Sequence, residues 1–235
     1  MMTVEDLEVW YGKILAVSKI FLKIEKGEIV GLIGPNGAGK STILNSIVGV
    51  VQPVRGDIKL NGESILKLPT YERIKRGLAI SPEGRKVFPY LTVEENLLMG
   101  AILGDTWKRR KDKLEQIYSL FPILKERKNQ FAGTLSGGEQ QMLTIARALM
   151  SSPRILLVDE PSLGLGPKIA LEVYRFLKRL REVEKITILL ADQNARRVLE
   201  ISDRAYIIEN GRIALEGSSE ELLKNDNVRR VYLGL

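Results

Sequence analysis

The stretch Gly34-Pro35-Asn36-Gly37-Ala38-Gly39-Lys40-Ser41 decides the fold of this 235-residue chain. It fits the pattern G-x-x-x-x-G-K-[S/T], in which a glycine-rich loop joins a β-strand to an α-helix. The apolar run at 28–33 predicts the strand, and the segment from Lys40 to Val48 predicts the helix. Both flanks that the pattern requires are present, so the sequence predicts a phosphate-binding loop in an α/β fold.

The residue types of this phosphate loop (residues 34–41) suit the triphosphate of ATP. Glycines allow successive backbone N–H groups to turn toward phosphate oxygens, and the helix N-terminus adds partial positive charge. We expect Lys40 to reach the β- and γ-phosphates and the Ser41 hydroxyl to bind Mg²⁺. The sequence therefore predicts ATP and Mg²⁺ as cofactors, with a nucleotide site formed by Gly34, Pro35, Asn36, Gly37, Ala38, Gly39, Lys40, Ser41 and Thr42.

Two acidic residues follow the apolar run Ile155-Leu156-Leu157-Val158. Such a run is typical of a strand that is buried on both faces of a parallel sheet. In enzymes with a phosphate loop, an Asp at this place holds the magnesium ion, and the next carboxylate can take a proton from the attacking water. We therefore predict that Asp159 binds Mg²⁺ and that Glu160 is the general base.

A third motif, Leu135-Ser136-Gly137-Gly138-Glu139-Gln140-Gln141, precedes that strand. Ser136 followed by Glu139 predicts a capping box at the start of a helix. The Ser136 hydroxyl and the N–H groups of Gly137 and Gly138 then form an anion site. Because the chain already has one phosphate loop, a second anion site predicts a second phosphate contact.

Together these motifs resemble those of the ATP-binding-cassette (ABC) ATPases, and the resemblance covers essentially the whole chain. It implies that Ser136, Gly137 and Gly138 contact ATP held by another chain, across a head-to-tail dimer. It also implies that Tyr11 stacks on the adenine and that the loop at 161–167 follows the dimer seam. The segment at 81–89 matches the family's junction between core and helical lobe, which touches membrane-spanning subunits.

Two positions depart from the family pattern. The family usually has Gln at the lobe junction, in contact with magnesium and the attacking water, whereas Glu83 stands here. It usually has His after the strand at 186–191, in contact with the γ-phosphate, whereas Gln193 stands here. An amide can donate to phosphate without titrating, and an ionised carboxylate can bind magnesium but cannot donate. The resemblance implies that both are catalytic residues and that Glu83 is also a metal ligand.

Four short motifs of this chain resemble those of the shorter ATPase of branched-chain amino acid importers. This resemblance implies that the chain is an ATP-hydrolysing, energy-coupling subunit. Such a subunit works with membrane-spanning permease subunits and with a second ATP-binding subunit, identical or paralogous. An ATPase for a urea or short-amide importer, an ABC ATPase outside transport and an ATP-dependent dimerisation switch remain alternatives. The motifs are Pro82-Glu83-Gly84-Arg85, Glu160-Pro161-Ser162-Leu163-Gly164-Leu165, Asp192-Gln193-Asn194 and Tyr232-Leu233-Gly234.

Composition excludes several other kinds of site. The chain has no cysteine and no histidine, which excludes disulfides, thiolate or histidine zinc sites and Ser-His-Asp triads. The net charge of +7 comes from 36 Lys and Arg against 29 Asp and Glu. The densest cluster of basic residues, 108–113, lacks interleaved aromatic residues, so we expect no nucleic-acid partner.

No secretory signal or membrane-spanning run is evident. This predicts a cytoplasmic protein that is peripheral on the inner face of the cell membrane.

The predicted fold class is α/β, with a RecA-like phosphate-loop core that contains a mostly parallel sheet. Alternating strands near the N-terminus predict an antiparallel β subdomain, and the helical pattern at about 92–150 predicts a helical subdomain inserted into the core. We expect one ABC ATP-binding domain over residues 1–235, which ends in a tail of short helices at about 219–235.

Overall fold

The computed structural model describes residues 1–103 and 105–233. The strands are β1 (Met2–Tyr11), β2 (Ile14–Ile24), β3 (Ile29–Ile33), β4 (Arg55–Leu60), β5 (Glu63–Ser64), β6 (Leu78–Ser81), β7 (Ile155–Asp159), β8 (Thr187–Asp192), β9 (Arg204–Glu209) and β10 (Arg212–Ser218). The helices are α1 (Lys40–Val48), α2 (Thr70–Lys75), α3 (Val93–Met99), α4 (Asp105–Lys108), α5 (Arg110–Leu120), α6 (Pro122–Glu126), α7 (Gly137–Leu149), α8 (Pro167–Glu184), α9 (Ala195–Ile201), α10 (Ser219–Lys224) and α11 (Asp226–Val228). A 3₁₀ turn covers Ala132–Thr134, and a π-helical turn covers Arg229–Leu233.

A six-stranded sheet in the order β10-β9-β3-β8-β7-β6 forms the centre of the molecule. All its neighbouring pairs are parallel except β10 with β9. Because β3, β7 and β8 are parallel neighbours, their carboxyl ends meet at one edge: Ile33 lies beside Asp192, and Asp159 lies beside Ala191. This edge brings the phosphate loop together with the loops that follow β7 and β8.

An antiparallel sheet in the order β2-β1-β4-β5 covers one face of the core. One buried apolar cluster joins its inward side chains to α1 and to β3, β7, β8 and β9. A second cluster fills the opposite face with side chains from α3 and from α5 to α9. Helices therefore pack against a mostly parallel sheet that carries an antiparallel N-terminal sheet, which confirms the predicted α/β class.

The predicted capping boxes are present at the starts of α3 and α7. The side chains of Thr92 and Ser136 accept from the N–H groups of Glu95 and Glu139, which bond back to the cap residues. The predicted helical lobe at 92–150 contains α3 to α7, and the predicted tail contains α10 and α11. Gly234 of the Tyr232-Leu233-Gly234 motif lies outside the described residues, and the domain boundaries stay predictions.

Three elements were missed by the sequence patterns, and one of them is the two-residue strand β5. In α2, the one buried side chain is that of Arg73, so the helix shows no apolar stripe. In β10, every side chain is half-buried or exposed, because it is the edge strand of the sheet. Among the described residues, no helix has both the length and the apolar character that crossing a membrane requires.

Candidate active site

Glycine is required in the phosphate loop for reasons the structure makes specific. Gly37 and Gly39 adopt φ angles of 79° and 105°, a region in which side chains with a Cβ are strained. A Cβ on Gly34 would lie 2.4 Å from the carbonyl oxygen of Ile208 in β9. The loop therefore folds against the sheet edge more closely than any other residue type would allow.

Lys40 is the first residue of α1, and its side chain is only 3% exposed. Its ammonium donates to the carbonyl oxygens of Gly34, at 2.8 Å, and Pro35, at 3.0 Å. It also forms an ion pair with Glu160, with 3.0 Å between Nζ and Oε1. The lysine predicted to reach the γ-phosphate and the predicted general base thus lie in direct contact, although they are 120 positions apart in the chain.

Asp159 ends β7 beside this ion pair and is 4% exposed. Burial raises the pKa of its carboxyl group to about 6, and the charges of Glu83 and Glu160 act in the same direction. The nearby Ser41 hydroxyl and the Lys40 ammonium oppose that shift. Ser41 and Glu83, two residues predicted to bind magnesium, therefore lie close enough to Asp159 to act on its carboxyl group.

This donor set fits a magnesium ion. The Oδ1 atom of Asp159 is buried, and it accepts no hydrogen bond from any residue in 1–103 or 105–233. A buried carboxylate oxygen without a donor is costly unless a cation or water satisfies it. Carboxylate and hydroxyl oxygens are the ligand type that Mg²⁺ prefers.

Glu160 has an unusual backbone conformation, with a φ angle of 41°. Its N–H donates to the carbonyl oxygen of Ala191 in β8, at 2.8 Å. Left-handed backbone in a residue other than glycine is uncommon, and it persists where surrounding structure enforces it. Here the β8 contact and the Lys40 ion pair both hold the carboxylate at the sheet edge.

Gln193 is exposed at the end of β8 and lines a cavity of about 790 Å³. The same cavity is lined by Pro35 of the phosphate loop and by the loop at 162–164 that follows Glu160. Gln193 therefore opens onto space shared with the phosphate loop. This position agrees with a side chain that reaches a bound phosphate.

Tyr11 lies at the end of β1 and is 49% exposed. Its hydroxyl is 3.5 Å from the hydroxyl of Thr42 in α1. The structure thus places an accessible aromatic ring next to the helix that begins at the phosphate loop. The stacking of this ring on adenine stays a prediction.

The Ser136–Gly138 motif lies apart from the phosphate loop of its own chain. No hydrogen bond or ion pair joins it to residues 34–42 within the described parts of the chain. A Cβ on Gly137 would instead meet the guanidinium of Arg85, at 2.3 Å from Nη1, and one on Gly164 would lie 3.3 Å from Nη2. Arg85 therefore connects this motif to the loop after Glu160, a placement that no sequence pattern indicated. Completion of the site by a second chain stays a prediction.

Sequence reasoning also missed Asp192 as a structural residue of this site. It is 1% exposed at the end of β8, and burial raises the pKa of its carboxyl group. Its partners include Tyr174 of α8, at 2.7 Å, and the N–H of Asn194, at 2.9 Å. The signal that could have found it is the acidic residue at the end of the apolar run at 186–191, the same signal that identified Asp159.

Comparison with known proteins agrees with this geometry. The family model described as "ABC transporter" matches residues 17–163. The branched-chain amino acid transport ATP-binding protein BraG of Pseudomonas aeruginosa is 47% identical, with 100% of both chains covered. The probable branched-chain amino acid transport ATP-binding protein LivF of Archaeoglobus fulgidus is 40% identical, with 100% of this chain and 99% of the relative covered.

Solved structures agree as well. The ADP conformation of the ABC transporter cassette MJ1267 matches with a TM-score of 0.85 and 26% identity, covering 100% of this chain and 99% of the other. A dimeric post-hydrolysis state of the cassette MJ0796, bound to ADP and Pi, matches with a TM-score of 0.80 and 25% identity, covering 93% and 99%. The chain belongs to the ABC transporter family, as one of its ATP-binding, ATP-hydrolysing subunits.

Proposed function

We propose that this protein is the ATP-hydrolysing subunit of an importer for branched-chain amino acids. The observation that supports the chemistry is the buried contact between Lys40 and Glu160 beside Asp159, at the carboxyl ends of β3 and β7. The full-length similarity to BraG, at 47% identity, supports the transported solute.

In the proposed reaction, water attacks the γ-phosphorus of ATP and the bond to the bridging oxygen of ADP breaks. Lys40 and the N–H groups of the phosphate loop stabilise the phosphate charge. Phosphate binding draws the Lys40 ammonium away from Glu160, whose carboxylate then accepts the proton of the attacking water. Gln193 donates to the γ-phosphate. Magnesium, when bound by Ser41, Asp159 and Glu83, neutralises phosphate charge.

We further propose that a second ATP-binding subunit completes the site. Ser136, Gly137 and Gly138 would contact the γ-phosphate of ATP bound by the other subunit, because their own phosphate loop lies elsewhere in the chain. Closure of this dimer on ATP and its opening after hydrolysis would move permease subunits at the inner face of the membrane. The segment at 81–89, which contains the exposed Phe88 and is followed by the exposed Tyr90, is the surface proposed to meet them.

The decisive test of the catalytic proposal is Glu160→Gln. Removal of a general base lowers turnover by about 10² to 10⁴-fold, so phosphate release should fall by at least about 100-fold while ATP still binds. The matched control is Glu182→Gln, on an exposed part of α8, which should release phosphate like the wild type. Unchanged phosphate release by Glu160→Gln would reject the assignment of the base.

The solute is tested separately, in vesicles that contain the permease subunits encoded beside this chain. ATP-dependent uptake of leucine, isoleucine and valine, at rates well above urea and acetamide, is the expected result. Faster urea or acetamide uptake would assign the ATPase to an amide importer. ATP-dependent dimer formation without turnover would favour a dimerisation switch, and ATP hydrolysis in these vesicles without uptake of any tested solute would favour a role outside transport.

A further inference from the structure

Asp192 forms a buried hydrogen-bond network with Tyr174 and Ser162, which we call the Tyr174 network. The Tyr174 hydroxyl donates to Asp192 Oδ2 at 2.7 Å and is 2.9 Å from the Ser162 hydroxyl. The Ser162 hydroxyl itself is 3.2 Å from the same Oδ2 atom. Tyr174 and Asp192 are each 1% exposed. The loop after Glu160, α8 and the more distant strand β8 thus meet at one carboxylate oxygen.

The other oxygen of Asp192 serves the loop that carries Gln193. Its Oδ1 atom accepts from the N–H of Asn194 at 2.9 Å, which closes a turn around Gln193. The Asn194 side chain then caps α9 by accepting from the N–H of Arg197. Asp192 therefore holds the Gln193 turn with one oxygen and the Ser162 loop with the other. Both loops line the same cavity of about 790 Å³.

Burying this network costs free energy, because its polar groups lose their contact with water. Burial raises the pKa of both Asp192 and Tyr174, because the surroundings disfavour the charge of each. No cation forms an ion pair with Asp192 within residues 1–103 and 105–233. Replacing buried hydrogen-bond partners by apolar groups of the same shape can be nearly neutral for stability, so the arrangement points to a role beyond stability.

We propose that Tyr174 is a positioning residue for ATP hydrolysis. Through Asp192 it fixes the turn that presents Gln193, and through Ser162 it fixes the loop that leaves Glu160. The two loops then move together rather than independently. This inference rests on the proposed function, because it assigns Tyr174 to the reaction of that same site, and it concerns a side chain that does not touch the nucleotide.

The test is Tyr174→Phe, which keeps the ring and removes the hydroxyl. We expect kcat for ATP hydrolysis to fall about 10-fold or more, with KM for ATP changed by less than about 2-fold, since only orientation for the chemical step is lost. The matched control is Tyr118→Phe. Tyr118 is 3% exposed and donates to the half-buried Glu94 at 3.0 Å in the helical lobe, so the variant loses a tyrosine hydroxyl bond away from the site with no expected change in kcat.

A double-mutant cycle with Gln193→Asn separates positioning from general damage. If Tyr174 acts through Gln193, Tyr174→Phe should lower kcat much less in the Gln193→Asn background than in the wild type. Equal losses in the two backgrounds would overturn the proposal, as would a wild-type kcat for Tyr174→Phe. If Tyr174→Phe does not fold, Ser162→Ala removes a contact of the same network from its more exposed side. Its kcat should then fall, and Ser162→Thr should restore it.

The outcome is distinguishable from a failure of the proposed function. If Glu160→Gln abolishes phosphate release while Tyr174→Phe keeps the wild-type kcat, the ATPase assignment stands and the positioning role is wrong. If Glu160→Gln releases phosphate like the wild type, the catalytic assignment fails whatever the kcat of Tyr174→Phe.

Discussion

Arg73 should contribute more to stability than any surface charge of the chain, although it lies in a helix that the sequence did not predict. Its side chain has 0% exposure. The guanidinium donates to four backbone carbonyl oxygens: those of Ser46 and Ile47 at 2.7 and 2.9 Å, and those of Leu66 and Leu68 at 2.6 and 2.9 Å. Two of these belong to the last turn of α1, where a cation also interacts favourably with the helix dipole. Arg73 thus ties α1, which starts at Lys40, to α2.

The expected cost of Arg73→Met follows from these contacts. The Ser46 carbonyl keeps a second donor, the N–H of Gly49 at 3.2 Å, so three carbonyl oxygens lose the partner that Arg73 supplies. Each buried group left without a partner costs about 1–3 kcal/mol. Burial lowers the pKa of Arg73, and loss of that desolvation cost offsets part of the sum. We expect a net loss of about 3 kcal/mol, equivalent to about 6–12 °C in Tm for a chain of this size.

The assay is urea unfolding followed by circular dichroism, with thermal unfolding as a second measurement. Arg76→Met is the matched control, because Arg76 lies three residues further on and pairs with the exposed Glu63 at 3.0 Å. That pair should contribute less than about 1 kcal/mol. Arg73→Lys should recover no more than half of the loss, because one ammonium cannot reach both groups of carbonyls. A loss below about 1 kcal/mol for Arg73→Met would refute the reasoning.

Two other predictions concern nucleotide affinity and pH. Tyr11→Ala should weaken ATP binding by about 1–3 kcal/mol, the value of stacking between a base and an aromatic ring, whereas Tyr11→Phe should bind like the wild type in titration calorimetry; equal affinity of all three would argue against adenine stacking. The Thr92 backbone N–H, followed by the Thr92 hydroxyl, lowers the pKa of Glu95 from its ordinary 4.5. The folded state therefore gains stability from ionised Glu95 above about pH 4.5 and loses it as the pH falls through the lower folded-state pKa. In urea unfolding, the free energy of unfolding of Glu95→Gln should consequently depend less on pH between 7 and 3.5 than that of the wild type. An unchanged pH dependence would count against the capping-box contribution.

Local patterns were enough to predict much of the fold. The apolar run at 28–33, the glycine-rich loop and the following helix are contiguous in sequence, so they could be predicted without knowledge of distant residues. The capping boxes at Thr92 and Ser136 could likewise be predicted from the sequence, because both partners lie within one helical turn. The helix α2 could not be predicted, because the side chain it buries is an arginine whose partners lie 5 to 27 positions away.

The candidate site divides in the same way between sequence and tertiary structure. The sequence by itself identified the candidate site residues, namely a lysine after a glycine loop, two acids after a buried strand, and Gln193 where the family usually has His. Only the tertiary structure decided that Lys40 contacts Glu160, and that one oxygen of Asp192 holds both Tyr174 and Ser162. The physical reason is that parallel strand order, which local periodicity does not encode, sets which carboxyl ends become neighbours. Burial then raises the cost of every polar group that lacks a partner there.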